Sequence, residues 1–261
     1  MINFMEGLYV KIFSRGIFAK LNSLLLHFAL RARGYNNFRN YDESGESFFI
    51  DKILAPTNPK LCLDIGANIG GYTIELLEKT NTRVISFEPL PAAFQELTNA
   101  TKHLAERVVL ENKGVGSKED TLTIHYNPKA LSYASFSEEI KKVGYISNEE
   151  KIEVPVTTLD GYCEAKQITE IDLVKIDTEG FESEVFEGAL NTFVKIKPKF
   201  IQIEFNWHQL FRNTSLNYFA EKLANYDVYQ LVHSNWVKRD AKDPLSNIYH
   251  FSNFIFVRKD K

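Results

Sequence analysis

At 261 residues the chain has room for one large domain, or one domain with additions. An apolar share of 44% against 25% charged residues is ordinary for a soluble globular protein and supplies a sizeable core. The net charge of −3 gives no general reason to expect nucleic acid as a partner. That charge is unevenly spread. Lys11, Arg15, Lys20, Arg31, Arg33 and Arg39 face only Glu6 before Tyr41, so the remainder is acidic, and a surface-binding arm is suggested. Two cysteines without close spacing, Cys62 and Cys163, argue against a disulfide framework or a zinc site and predict a reducing, cytoplasmic setting. Cys62 lies in an apolar run and reads as a small buried hydrophobe.

In chain order, the apolar residues of the first stretch are interrupted by charges and show no clear cleavage site, so no signal peptide is expected. Leu24–Leu30 is too short for the ~20 apolar residues of a membrane span. Leu8, Ile12, Phe13, Ile17, Leu21, Leu24, Leu25 and Phe28 recur near helical spacing, which predicts one or two amphipathic helices over 7–33. A helical cap packed on the rest is the plain reading. A basic helix resting on the inner face of an anionic membrane, or a partner-protein helix, are the alternatives. Residues 1–43 are therefore an N-terminal extension and 44–261 the main domain. Another helix is expected from Ser47 to Leu54, stopped by Pro56 and Pro59.

An alternation then begins. Leu61–Ile65 reads as a strand, Ile69–Glu78 as a helix and Arg83–Glu88 as a buried strand. Pro91 suits the first position of a helix running to Leu104, and Val108–Asn112 is the next strand. This βαβαβ pattern predicts a parallel sheet. Thr121–Tyr126 and Ile152–Thr157 alternate at period two and frame a β-rich insertion with long loops, near 121–157. The pattern resumes with a short helix from Thr158, a strand over Ile171–Asp177 and a helix that Thr178 would cap. A strand over Phe200–Phe205 and a helix from Leu216 to Asn225 follow. Val228–Val232 and Phe251–Val257 are expected to pair antiparallel, with only a loop between them.

The strand, glycine turn and helix start at Leu61–Thr73 place free N–H groups and a close-approach backbone at one spot. Asp64, Glu88, Asn112, Asp177 and Glu204 fall at strand ends, which converge along one edge of a parallel sheet. Glu88, about twenty residues past the turn, suits the vicinal hydroxyls of a ribose. A nicotinamide enzyme would use the same carboxylate. However, the turn Gly66-x-x-x-Gly70-Gly71 lacks the G-x-G-x-x-G spacing, and Asp64 would repel phosphate. A phosphate-free adenosyl ligand with a positive centre, S-adenosyl-L-methionine, fits better.

Asp64–Thr73, Phe87–Pro91 and Leu173–Glu182 resemble, in order, the first motif, the second motif and the K-I-D-x-E-G-x-E signature of the FkbM family of S-adenosylmethionine-dependent methyltransferases. Thr158–Asp160 and Asn253–Phe256 match as well, and the resemblance covers roughly 44–257. Gly71 departs from it, since a residue with a side chain is more usual there. The resemblance implies a Rossmann-like class I α/β fold: a seven-stranded, mostly parallel sheet with a reversed last strand and helices on both faces. It implies O-methylation of a hydroxyl on a sugar, glycan or related natural product. Carried over, Asp64, Gly66, Asn68 and Gly70 would hold the methionine end, with Ala67, Tyr72 and Thr73 also among the cofactor-binding residues. Glu88 and Pro89 would meet the ribose, and Asn112, Lys113, Gly114 and Val115 would flank the adenine, with Asp177 beside the sulfonium.

A sugar hydroxyl needs its proton taken, and Asp177 is the first candidate base. Lys175, two residues earlier on the same side of the strand, should pair with Asp177 or Glu204, or could itself be the base if burial lowered its pKa. Glu179, Glu204 and His208 would complete the acceptor pocket. The cluster Asp177, Glu179, Glu204 and His208 could also bind a divalent cation, but its spacing matches no recognised metal motif, so no metal is assigned. Trp207, Trp236, Tyr133 and Tyr145 are candidate stacking surfaces for a sugar ring. A nucleotide-dependent oxidoreductase and a non-catalytic adenosyl-binding scaffold are the competing functions. Acceptor identity and oligomeric state are not legible.

Overall fold

A computed structural model describes residues 2–144 and 146–259, and of Ile2, Ile140 and Lys141 the backbone alone. The strands are β1 (Leu61–Ile65), β2 (Arg83–Phe87), β3 (Val108–Glu111), β4 (Gly114–Val115), β5 (Asp120–Tyr126), β6 (Glu150–Thr157), β7 (Leu173–Ile176), β8 (Phe200–Phe205), β9 (Tyr226–Val232), β10 (Asn235–Arg239) and β11 (Ser252–Arg258). The main sheet has eight strands in the order β10-β9-β11-β8-β7-β1-β2-β3. The five from β3 to β8 run parallel, and β11 is inserted antiparallel between β8 and β9.

The α/β class, the parallel half and the reversed last strand agree with the expectation, as does the antiparallel β9–β11 pair. The strand count is eight rather than seven. The segment between β9 and β11 is not only a loop, because Asn235–Arg239 folds back on β9 as a hairpin partner. Trp236 stacks there on Tyr229, with ring centroids 4.4 Å apart. The expected insertion is a separate three-stranded sheet, β4-β6-β5.

Side-chain alternation divides the core. Leu63, Ile65, Val174, Ile176, Ile201 and Ile203 face one layer of helices, while Cys62, Val84, Leu173 and Phe200 face the other. Burying these apolar strands stabilises the sheet by about 25 cal/mol per Å² of apolar area removed from water. On the second face the apolar pattern stops near the carboxyl ends. Ser86, Asp64, Lys175 and Gln202 stand side by side in register across β2, β1, β7 and β8, all of them buried. Such a polar row is tolerated in a core only if its members satisfy one another.

Most of the row does so through the helix Gly71–Lys79 and the segment before β1, while Asp64 Oδ1 has no hydrogen bond and faces Lys175 Nζ at 4.0 Å. Thr73 Oγ1 donates to Asp64 Oδ2 at 2.7 Å and shares a hydrogen bond with Ser86. Tyr72 donates to Gln202 Oε1 at 2.7 Å, and Gln202 donates to Glu46 and Asn253.

The two N-terminal helices, Ile2–Phe13 and Ala19–Ala32, are present as the spacing predicts. They are not a packed cap. The second helix buries no residue, and among the described residues of the pair only Leu30 packs on the main core. The link to the main domain is made at its C-terminal end. Arg31 pairs with Glu43, and Arg33 bonds the carbonyl of Leu245.

Candidate active site

The carboxyl ends of β1, β2, β7 and β8 open into a cavity of about 580 Å³, within the usual range for small-molecule sites. Gly66, where the chain leaves β1, has φ +86°, and a Cβ there would overlap the carbonyl oxygen of Asp177. Glycine is therefore required for β1 and β7 to end this close together. The turn is tied down by Glu88, whose carboxylate accepts the Asn68 N–H at 2.8 Å and the Leu90 N–H at 2.8 Å. Burial pushes the Glu88 carboxyl up to about 7, against those two amide bonds, which favour its ionised form. Each of its oxygens has a second lone pair left for a ligand hydroxyl.

Of the expected cofactor residues, Gly66, Asn68, Glu88, Pro89, Lys113, Gly114, Val115 and Asp177 line the cavity. The others sit behind it. Asp64 lies one residue inside β1, between Ser86 and Lys175, and is fully buried under Thr73. It does not line this cavity and reaches the site through Lys175. Ala67 caps the turn by accepting the Gly70 N–H, and Gly70, at φ +95°, packs on Leu97. Tyr72 and Thr73 belong to the polar row. Asn112 holds the β2 exit by donating to the carbonyls of Glu88 and Pro89.

The second half of the site is the loop after β7. Lys175 Nζ donates to Asp177 Oδ2 at 2.8 Å, lies 4.0 Å from Asp64 Oδ1 and sits over the Tyr72 ring. Burial alone would strip its proton, but Asp177, Asp64 and Glu46 together raise its pKa above the ordinary lysine value. These pairings favour the ammonium form of Lys175 and weigh against its acting as a base. The expected helix cap is also reversed. Thr178 does not cap the helix Glu182–Glu187. Instead Glu182 Oε1 accepts from the Thr178 N–H, the Thr178 hydroxyl and the Gly180 N–H.

That cap holds Glu179 in the left-handed region, φ +51°, a conformation costly for a residue with a side chain. Two further contacts fix it: Ser135 of the insertion donates to its carbonyl at 2.6 Å, and His208 Nε2 meets its Oε2 at 2.8 Å. His208 is buried behind Glu179, so it supports the pocket rather than lining it. Glu204 reaches the cavity from β8 and accepts from Asn206 at 2.6 Å. Burial, then the charges of Asp177 and Glu179, push Glu204 well above the usual carboxylate range. Burial also raises Glu179, against the His208 hydrogen bond. One carboxylate oxygen each from Asp177, Glu179 and Glu204 lies within 4.8 Å of the others, a spacing that shared protons or a divalent cation could satisfy.

The sequence reading missed a whole wall. Phe38, Arg39, Asn40, Tyr41, Ser44 and Glu46 line the cavity, so the boundary drawn at residue 43 cuts through the site. Ile124, Leu131, Ser132, Ala134 and Phe136 of the insertion close another side, and Phe251 a third. A signal existed for one of these contacts: the unusual Gly71. A Cβ at Gly71 would overlap the Tyr41 hydroxyl, so the missing side chain marks where Tyr41 lies. The candidate stacking residues fall elsewhere. Trp207 stacks on His208, Trp236 lies on β10, Tyr133 is outside the cavity lining, and Tyr145 lies outside the described residues.

A doubly wound sheet with its cavity at a glycine turn defines a Rossmann-like fold with a small-ligand site. The profile of the methyltransferase FkbM domain matches residues 64–229, and the chain belongs to that family. It is 25% identical over 167 residues to the hexuronic acid methyltransferase AglP of Haloferax volcanii, covering 64% of this chain and 65% of that one. It is also 25% identical over 161 residues to methyltransferase 1 of Beauveria bassiana, covering 55% and 65%. The chain thus spans about 65% of the length of these curated relatives. Among solved structures, the precorrin-6y C5,15-methyltransferase of Geobacter metallireducens aligns over 85% of this chain and 92% of its own at 10% identity, with a TM-score of 0.46. Methyltransferase membership implies S-adenosyl-L-methionine as the methyl donor.

Proposed function

We propose that the protein transfers a methyl group from S-adenosyl-L-methionine to a hydroxyl of a sugar, glycan or related small molecule. One observation carries this reading: Asn68, Glu88 and Asp177 face one cavity at the ends of three adjacent parallel strands. The donor set suits a phosphate-free adenosyl group. The Asn68 Oδ1 is a buried acceptor with no partner, placed for an ammonium, and Glu88 has lone pairs for ribose hydroxyls. A pyrophosphate would face Glu88, Asp177, Glu179 and Glu204 across the same space. When bound, the cofactor supplies a methyl group on a sulfonium, and the remaining work is done by the chain.

That work is alignment and proton transfer. Orientation alone can lower such a barrier by ~7–11 kcal/mol. Asp177 takes the acceptor's hydroxyl proton. Lys175 occupies its Oδ2, leaving Oδ1 for the acceptor. Glu204, whose surroundings favour its proton-bearing form, can donate to a second oxygen of the acceptor. Side chains from the insertion and from 38–46 exclude water. The hydroxyl reading is supported by a carboxylate base in the pocket and by the hexuronic acid methyltransferase among the relatives.

The test is incubation with methyl-labelled cofactor and a panel of free and lipid-linked uronic and neutral sugars, followed by mass spectrometry. Labelled sugar supports the proposal. Label on protein or nucleic acid alone, or binding of NAD(P) in place of S-adenosylhomocysteine, refutes it.

A further inference from the structure

The N-terminal helices leave an apolar surface exposed among the described residues. Phe4, Leu8 and Ile12 recur every fourth residue on the first helix and are 76%, 48% and 40% exposed. Leu21, Leu25 and Phe28 form a similar stripe on the second, at 41%, 46% and 58%. Isolated exposed apolar residues are unremarkable, but contiguous stripes on neighbouring helices mark a surface that meets something. The two helices are joined to each other rather than to the core. Tyr9 donates to Asn22 Oδ1, Asn22 donates to the Phe13 carbonyl, and Phe13 and Phe18 meet edge to face.

Charge selects the partner. Lys11, Arg15 and Lys20 are exposed around the turn between the helices, and Glu6 is the sole acidic residue of the two. A second copy of this surface would bring like charges together. An anionic lipid surface neutralises them while taking up the apolar stripes. The helices have 12 and 14 residues, too short for the ~20 of a span, and no described helix is long and apolar enough to cross a membrane. That length, with apolar stripes and flanking cations, suits a helix lying in the interface.

We propose that the two N-terminal helices dock the protein on an anionic membrane surface. The anchored end of the second helix leads within a few residues to Phe38 and Arg39, which line the cavity. Docking would therefore place one wall of the site close to the lipid, where an acceptor carried on a lipid is held. The docking itself stands independently of the methyl-transfer reading.

Flotation of the full chain with vesicles tests it. The protein should float with equal parts phosphatidylcholine and phosphatidylglycerol, and not with phosphatidylcholine alone. Replacing Lys11, Arg15 and Lys20 together by glutamine should weaken binding by about a hundredfold at low salt, at roughly a fivefold loss per cation. A Leu25→Glu, Phe28→Glu pair should abolish it. Both variants should unfold at the temperature of the parent, because the residues changed touch no core. Failure to float with either vesicle overturns the proposal. So does equal binding to both, or a dimer in solution that the Leu25→Glu, Phe28→Glu pair dissociates.

Discussion

The two walls of the cavity are built differently. On the proposed reading these are a donor wall and an acceptor wall, and the donor wall comes from three successive strand exits, at Gly66–Asn68, Glu88–Pro89 and Lys113–Gly114. It is held by backbone amides of neighbouring strand exits on one side chain, as the Asn68 and Leu90 N–H groups are on the Glu88 carboxylate. The acceptor wall is gathered from residues 38–46, the insertion, the β7 loop, β8 and Phe251. It is held by side chains that meet across long sequence distances, such as Ser135 and His208 on Glu179. A wall of the first kind is fixed by local backbone geometry and tolerates little change. A wall of the second kind can be reshaped by changing any one contributor, which is where acceptor choice is free to vary.

Substitutions should separate the two walls, and the largest effect belongs to the acceptor side. Asp177→Asn keeps a hydrogen-bond acceptor for Lys175 but cannot take a proton. It should lower kcat by ~10²–10⁴-fold while S-adenosylhomocysteine affinity in titration calorimetry changes little. An equal loss of both would merge the two walls into one. The next effect is on the frame they share. Gly66→Ala puts a Cβ onto the Asp177 carbonyl and forces a positive φ on alanine, and should cost ~3 kcal/mol or more in chemical denaturation.

Glu88→Gln should act on the donor side alone. Losing a charged hydrogen-bond acceptor should weaken S-adenosylhomocysteine by ~10–100-fold, with little effect on acceptor KM. It also carries a pH signature. The folded pKa, about 7, lies above the ordinary 4.5, so the native state holds this proton more tightly than the unfolded chain. The stability it contributes is complete below 4.5 and is lost as pH rises through 7. Melting curves of the ligand-free protein should therefore fall less steeply across that window in Glu88→Gln than in the parent.

The same division explains what could be read from sequence. The β1 turn, the β2 exit and the β7 signature are short strings whose residues contact one another, so their order along the chain reports their geometry. The alternation of strands and helices gave the parallel half of the sheet for the same reason. Asp64 was misplaced by one residue of register, enough to turn it from the cavity into the polar row beneath the helix Gly71–Lys79. Lys175 was open to two readings because its pKa depends on three carboxylates from three segments. Residues 38–46 have no periodicity or motif of their own, and nothing local says that they return to the sheet edge. β10 was hidden for a related reason, since Asn235–Arg239 is largely polar and pairs only as an exposed edge strand.

The smallest predicted effect tests the one place where the acceptor wall left a trace in the donor motif. Gly71 opens the helix Gly71–Lys79, where an ordinary residue would serve the helix better than glycine by up to ~1 kcal/mol. Alanine there meets the Tyr41 hydroxyl, so the gain in propensity is offset by a shift of Tyr41 and with it of Asn40 and Ser44. Gly71→Ala should be neutral or destabilising by ~1 kcal/mol and should raise acceptor KM. Tyr41→Phe removes the clashing oxygen, and in that background Gly71→Ala should become stabilising. A double-mutant cycle measures this coupling directly, since the two side chains share one contact. A coupling energy near zero would mean that Tyr41 moves aside freely, and that Gly71 owes its glycine to something other than the wall across from it.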